Sequence, residues 1–169
     1  MKIKNLLLTA IFIALGIVFP MATHSIASGP VLLPMHLIIF LAAVFLPFSY
    51  GLFAAFLIPI LSSLITGMPA LFPQLCIMVP ELIVYAWIIS VLSKKTNINV
   101  ALVCAMLMGR IVAGVMVFLL TVIFKANLAS PWVYVWSAIV TGLPGIAIQL
   151  IVVPILATAL QKYVKKGRR

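Results

Sequence analysis

Between residues 5 and 163 the chain is a succession of apolar runs of about bilayer length, separated by short polar or proline-containing breaks. A hydrocarbon core of about 30 Å takes about 20 helical residues. Inside it every backbone N–H and C=O must be paired within the segment, so such runs have to be helical. A soluble domain with an oversized core is the alternative. With 66% apolar residues in 169, that alternative fails, because small domains leave a large part of their surface exposed. Charge agrees: 7% of the residues are charged, against roughly 25% in a soluble domain. The sequence predicts an all-α integral membrane protein.

The breaks divide the runs into six spans in a single domain, at residues 5–23, 31–46, 49–66, 73–93, 99–124 and 132–163. Turn and cap residues fill 24–30, and Pro47-Phe48-Ser49-Tyr50-Gly51 splits a run too long for one helix. Gly67-Met68-Pro69 and Lys94-Lys95-Thr96-Asn97 mark the next two turns, and a polar turn covers 125–131. The last run exceeds the bilayer, so its basic end is expected to project beyond it. Lys2 and Lys4 before the first run look like the start of a signal peptide. Without an obvious small-x-small cleavage site, and with more spans following, the run is read as a retained helix.

The net charge of +10 raises the question of nucleic acid, and its distribution answers it. Lys2 and Lys4, Lys94 and Lys95, and Lys162, Lys165, Lys166, Arg168 and Arg169 all flank spans; only Arg110 and Lys125 lie elsewhere. No folded polar face interleaved with aromatics is present to bind nucleic acid. Loop cations beside membrane helices instead report topology. With six spans, nine cations fall on one side and Lys125 alone on the other, which places both termini in the cytoplasm. Cys76 and Cys104 sit in apolar runs and read as small buried hydrophobes. Neither they nor the two histidines have metal-ligand spacing, so no metal and no cofactor is expected.

Ionisable groups in hydrocarbon are costly and mark function by default. The one acidic residue, Glu81, lies in the fourth span, and Arg110 lies in the fifth. Glu81 is 12 residues from the Ser93 end of its span and Arg110 is 11 residues from the Asn99 start of the next. At about 1.5 Å per residue their heads reach the same depth, and an ion pair is predicted. Two compatible readings stay open: a structural clamp between helices, or a pair that also touches a ligand. Gln74, Met78, Glu81 and Tyr85 are spaced to share one helical face, which suits a cavity lining, although Met78 and Tyr85 also suit plain helix packing. Gln149 is polar within the sixth span, which also carries glycines Gly142 and Gly145 that allow close packing. Trp132, Tyr134 and Trp136 fit an interfacial aromatic belt or the cap of a site. His36 fits either a ligand contact or a bond to a loop carbonyl.

Four stretches carry a family resemblance: Thr9-Ala10-Ile11-Phe12-Ile13-Ala14-Leu15, Leu33-Pro34-Met35-His36-Leu37, Ser62-Ser63-Leu64-Ile65-Thr66-Gly67-Met68-Pro69 and Met78-Val79-Pro80-Glu81-Leu82. Over essentially its whole length the chain resembles the substrate-binding S component of energy-coupling factor (ECF) vitamin transporters. Where related sequences often carry glycines in the second and third spans, this chain has Ala42-Ala43 and Ala54-Ala55. The resemblance implies a six-helix bundle in a prokaryotic plasma membrane, with no enzymatic activity of its own. It implies an outward-facing substrate site drawn from His36, Met68, Gln74, Glu81, Tyr85, Trp132 and Gln149, with Arg110 added through its pairing. It also implies that Ala10 and Ala14 form a flat docking face for a transmembrane T component driven by two cytoplasmic ATPases. Members of the family are thought to topple in the membrane to deliver substrate inward. No Gly-x-x-x-x-Gly-Lys-Ser/Thr sequence is present, so energy would come from those partners.

Charge narrows the expected ligand. If Glu81 neutralises Arg110, the pocket disfavours a di-anionic vitamin and favours a neutral or weakly cationic ring, stacked on Tyr85 or Trp132. A pyrimidine, thiazole or pyridine precursor fits, as does a cobalamin-related benzimidazole. The rival readings have less behind them. A stand-alone secondary transporter or channel would be expected to show an inverted repeat or a series of titratable groups. An intramembrane enzyme would need a nucleophile–base set. A membrane scaffold would bind no small molecule.

Overall fold

The computed structural model describes residues 2–24 and 32–166, with side chains from 3–23 and 32–159. The first outward loop, at 25–31, and the terminal Arg168 and Arg169 lie outside the described residues. Among the described residues six α-helices follow one another: α1 (Lys2–His24), α2 (Pro34–Phe45), α3 (Phe48–Thr66), α4 (Cys76–Leu92), α5 (Ile98–Phe124) and α6 (Pro131–Lys166). Helices α1, α3, α5 and α6, and α4 together with the five residues before it (Leu71–Leu92), are long and apolar enough to cross a membrane. The chain is a six-helix membrane bundle.

Helix α2 departs from the span expected at 31–46, and the backbone explains both ends. Leu33 adopts a left-handed conformation (φ 49°, ψ 51°) and Pro34 occupies the first helical turn, where its missing N–H is no loss. At the other end Leu46 is extended (φ −88°, ψ 153°), as a residue before a proline is pushed to be. Twelve residues make about 18 Å of helix, well short of the hydrocarbon core. The short helix survives because it is buried by protein. Ile39, Phe40 and Ala42 are inaccessible, and α1, α3, α4 and α6 all pack on it. A helix apolar all round is a buried helix.

Small residues bring the neighbours close. Ala42, Ala43, Ala54 and Ala55 are all buried, so alanine fills the tight helix contacts of α2 and α3. A Cβ on Gly51 would lie 3.4 Å from the Ala43 Cα, and Ser90 of α4 donates a 3.2 Å hydrogen bond to the Ala43 carbonyl. Helix α4 then packs on α5, and α5 on α6. Large apolar side chains such as Leu6, Ile11 and Leu15 of α1 and Leu107, Ile111 and Phe118 of α5 stay exposed, the surface expected of helices solvated by lipid.

Between α3 and α4 the chain does not turn directly. Gly67 takes φ +75° to end α3, the left-handed cap that glycine adopts without a Cβ penalty. An irregular turn, Leu71–Leu75, follows, with Phe72 extended inside it. Three hydroxyls at the end of α3 hold this connection. Ser62 donates to the Met68 carbonyl (2.8 Å), Ser63 donates to the Pro69 carbonyl (2.6 Å), and the Thr66 hydroxyl accepts from the Met68 N–H (3.2 Å).

Candidate functional site

Because the α4–α5 connection is short, Glu81 and Arg110 face each other at one depth. The Arg110 Nη1 donates to Glu81 Oε1 at 3.0 Å; the Glu81 side chain is buried and that of Arg110 partly so. The Tyr85 hydroxyl, one turn along α4, donates to the same oxygen at 2.5 Å. One carboxylate oxygen thus takes both bonds. The other oxygen, and the remaining guanidinium N–H groups, have no partner among the described residues.

Tyr85 can lie there only because α5 carries Gly109. A Cβ at Gly109 would overlap the Tyr85 ring, so the glycine beside Arg110 is the slot into which the ring fits. On its other side Tyr85 packs against His36 and Phe40, with ring centroids 5.6 Å and 5.1 Å away. The guanidinium reaches across to α6, where a Cβ on Gly142 would come within 3.7 Å of Nη2.

Above the pair is a cavity of about 940 Å³, at the end of the bundle opposite the Lys94–Lys95 turn. Glu81, Arg110, His36, Gln74 and Met68 border it, as does Met78. Of the four-residue stripe Gln74, Met78, Glu81 and Tyr85, the first in the turn before α4 and the rest on α4, three members therefore border the cavity, and Tyr85 lies beneath its floor, fully buried. Two other expected site residues sit elsewhere. Trp132 is 76% exposed and does not border the cavity. Gln149 is 1% exposed, and its Nε2 donates to the Leu33 carbonyl at 3.2 Å. Gln149 thereby holds the strained start of α2 instead of facing the cavity. Ala10 and Ala14 are exposed on α1.

For Tyr134 the sequence leaves open an aromatic belt or the cap of a site; it borders the cavity, and its hydroxyl lies 3.4 Å from Gln74 Oε1 as donor. Thr141, Met21 and Met35 also border it and had no individual signal. With Met68 and Met78 they bring four of the chain's eight methionines to one cavity. The walls are thus mostly apolar and polarizable, with a carboxylate, a guanidinium and an imidazole converging at one end. Concave apolar space with a few placed polar groups is the usual form of a small-molecule binding site.

A family model described as ECF transporter, substrate-specific component, matches residues 4–157. No curated protein and no solved structure matches the chain. The six-helix membrane bundle agrees with the family match, and the chain belongs to the substrate-specific components of ECF transporters.

Proposed function

We propose that this substrate-binding subunit captures a water-soluble vitamin or vitamin precursor, a small neutral or weakly cationic heterocycle, in the cavity over the Glu81–Arg110 pair. The observation that carries the reading is the pair itself. It borders the cavity and is already neutralised from within, so an anionic ligand would meet a carboxylate as readily as a guanidinium. Tyr134 supplies an aromatic wall, in the role first given to Trp132, and methionine thioethers suit the face of a ring. The volume exceeds that of a single ring, leaving room for a substituent. By the distribution of basic residues the cavity opens outward.

In this reading the subunit has no catalytic step. It binds outside, docks through the Ala10–Ala14 face of α1 onto a T component, and is energised by two cytoplasmic ATPases. Mass spectrometry of the small molecules released from purified protein tests the ligand assignment. Release of a neutral or weakly basic ring compound is the expected result. Release of a carboxylate or phosphate vitamin alone would reject it.

A further inference from the structure

We infer that the deep end of the cavity reads a paired donor–acceptor edge on the ligand, the H–N–C=O of a primary amide or the H–N–C=N of an amino-heterocycle. The inference rests on the proposed binding of a neutral ring and names the chemical group by which that ring is held. The ion pair is one-sided: Tyr85 and Arg110 both bond to Glu81 Oε1. A bidentate Arg–carboxylate pair would use both oxygens and two N–H groups. Here one acceptor oxygen and further guanidinium donors are left over, on two paired side chains that both border the cavity. An amide or amidine edge matches that arrangement. Its N–H donates to Glu81 Oε2, and its carbonyl or ring nitrogen accepts from Arg110. A carboxylate matches only the arginine half and sets its own charge against Glu81, while a bare ring satisfies neither half.

A third group points the same way. His36 borders the cavity, is buried, and has an Nε2 without a hydrogen-bond partner among the described residues. Buried polar atoms are nearly always paired. The imidazole packs on the Tyr85 ring, beside the group that holds Glu81. A second heteroatom on the ligand ring would satisfy it, as donor or acceptor according to tautomer. The specificity is thus a two-point reading of the edge plus one ring heteroatom.

The test uses four matched probes on the purified protein in detergent, with binding read from thermal unfolding. Nicotinamide carries the edge and a ring nitrogen, benzamide the edge alone, nicotinate a carboxylate in place of the edge, and pyridine the ring alone. Nicotinamide is expected to protect most, benzamide less, and nicotinate and pyridine not at all. In Glu81→Gln the order of charge should reverse, with nicotinate gaining and nicotinamide losing about tenfold in affinity, the scale of one charge-assisted hydrogen bond. In His36→Phe nicotinamide should fall to the level of benzamide, and benzamide should be unchanged. Equal protection by pyridine, preference of the wild type for nicotinate, or no protection by any probe overturns the inference. So does an unchanged order in Glu81→Gln. If that variant does not fold, the wild-type ranking decides alone. A neutral ring released from the protein together with a failed ranking would reject the edge and leave the proposed function standing. An anionic vitamin would reject both.

Discussion

At the scale of single residues, the site depends on a carboxylate oxygen that takes two bonds in a buried place. Removing Arg110 leaves Glu81 with Tyr85 alone, and breaking a buried pair from one side typically costs about 3–5 kcal/mol. Arg110→Met is therefore expected to lower the unfolding midpoint sharply, and the double variant Glu81→Gln with Arg110→Met to recover most of the loss. A midpoint for Arg110→Met within a degree or two of wild type would show the pair to be energetically idle. Gly109 makes a second case. Its missing Cβ is the space the Tyr85 ring occupies, so Gly109→Ala overpacks the core, at about 1–3 kcal/mol, and drives the tyrosine off Glu81. On the same helix a Cβ at Gly114 would meet only the Val135 Cγ2, at 3.0 Å, a side-chain tip that can shift. Gly109→Ala should lose both stability and ligand affinity, and Gly114→Ala much less of either; equal effects would mean that the ring is not locked in that slot. The ion pair was legible in the sequence because a short turn between two helices fixes the depth of both partners. Gly109 was not, because glycine is common in membrane helices and only tertiary packing decides which one meets a ring.

At the scale of elements, the connection from α3 to α4 is the part of the cavity wall made of backbone, and the hydroxyls of Ser62, Ser63 and Thr66 hold it. Each such bond contributes about 0.5–1.5 kcal/mol, small against the stability of the bundle but large for a segment without regular helix. Ser62→Ala with Ser63→Ala should leave the unfolding midpoint nearly unchanged and free Met68 and Pro69 to move. The expected signature is a ligand dissociation rate raised about tenfold with little change in association, measured by stopped flow or surface plasmon resonance. A slowed association with unchanged dissociation would contradict it. Helix α6 shows why some of the site stayed hidden in the sequence. Trp132 and Tyr134 are two residues apart, so they point to different sides of one helix, and lipid, interface and cavity all accept an aromatic side chain. Only the rotation of α6 about its axis, set by packing on α5 and α2, puts Tyr134 at the cavity and Trp132 outside. Gln149 was visible as a polar group in the membrane, but its partner is the carbonyl of Leu33, a residue with left-handed backbone that no spacing rule foretells. The end of α2 was open to reading through Pro34 and Pro47; its burial on nearly every side was not, since lipid and protein ask for the same apolar residues.

At the scale of the molecule, the proposed binding cavity and the proposed docking surface occupy different faces, so binding and transport should be separable. The cavity gathers the outer ends of the helices around α2 and α4, whereas α1 packs on α2 and α3 and leaves Ala10 and Ala14 exposed away from the Glu81–Arg110 pair. An exposed alanine in a lipid-facing row of Leu6, Leu7, Ile11 and Leu15 gives the helix a shallow place that a partner backbone can approach, the way small residues act between membrane helices. Gly16, two residues past Ala14, is turned inward onto Ile58, so it serves the bundle and is not available to a partner. Ala10→Leu with Ala14→Leu fills the shallow place without touching the cavity. Lipid solvates leucine as well as alanine, so the variant should fold, keep its unfolding midpoint and bind its ligand with unchanged affinity. Reconstituted in liposomes with a T component and two ATPases, it should lose most ATP-dependent uptake and no longer co-purify with the T component. Gly16→Leu is the contrasting variant, expected to destabilise the bundle before any question of partners arises. Full uptake by the double leucine variant would move the docking face off this side of α1. Loss of ligand binding by it would mean instead that α1 and the cavity are coupled, and that capture and delivery share one surface.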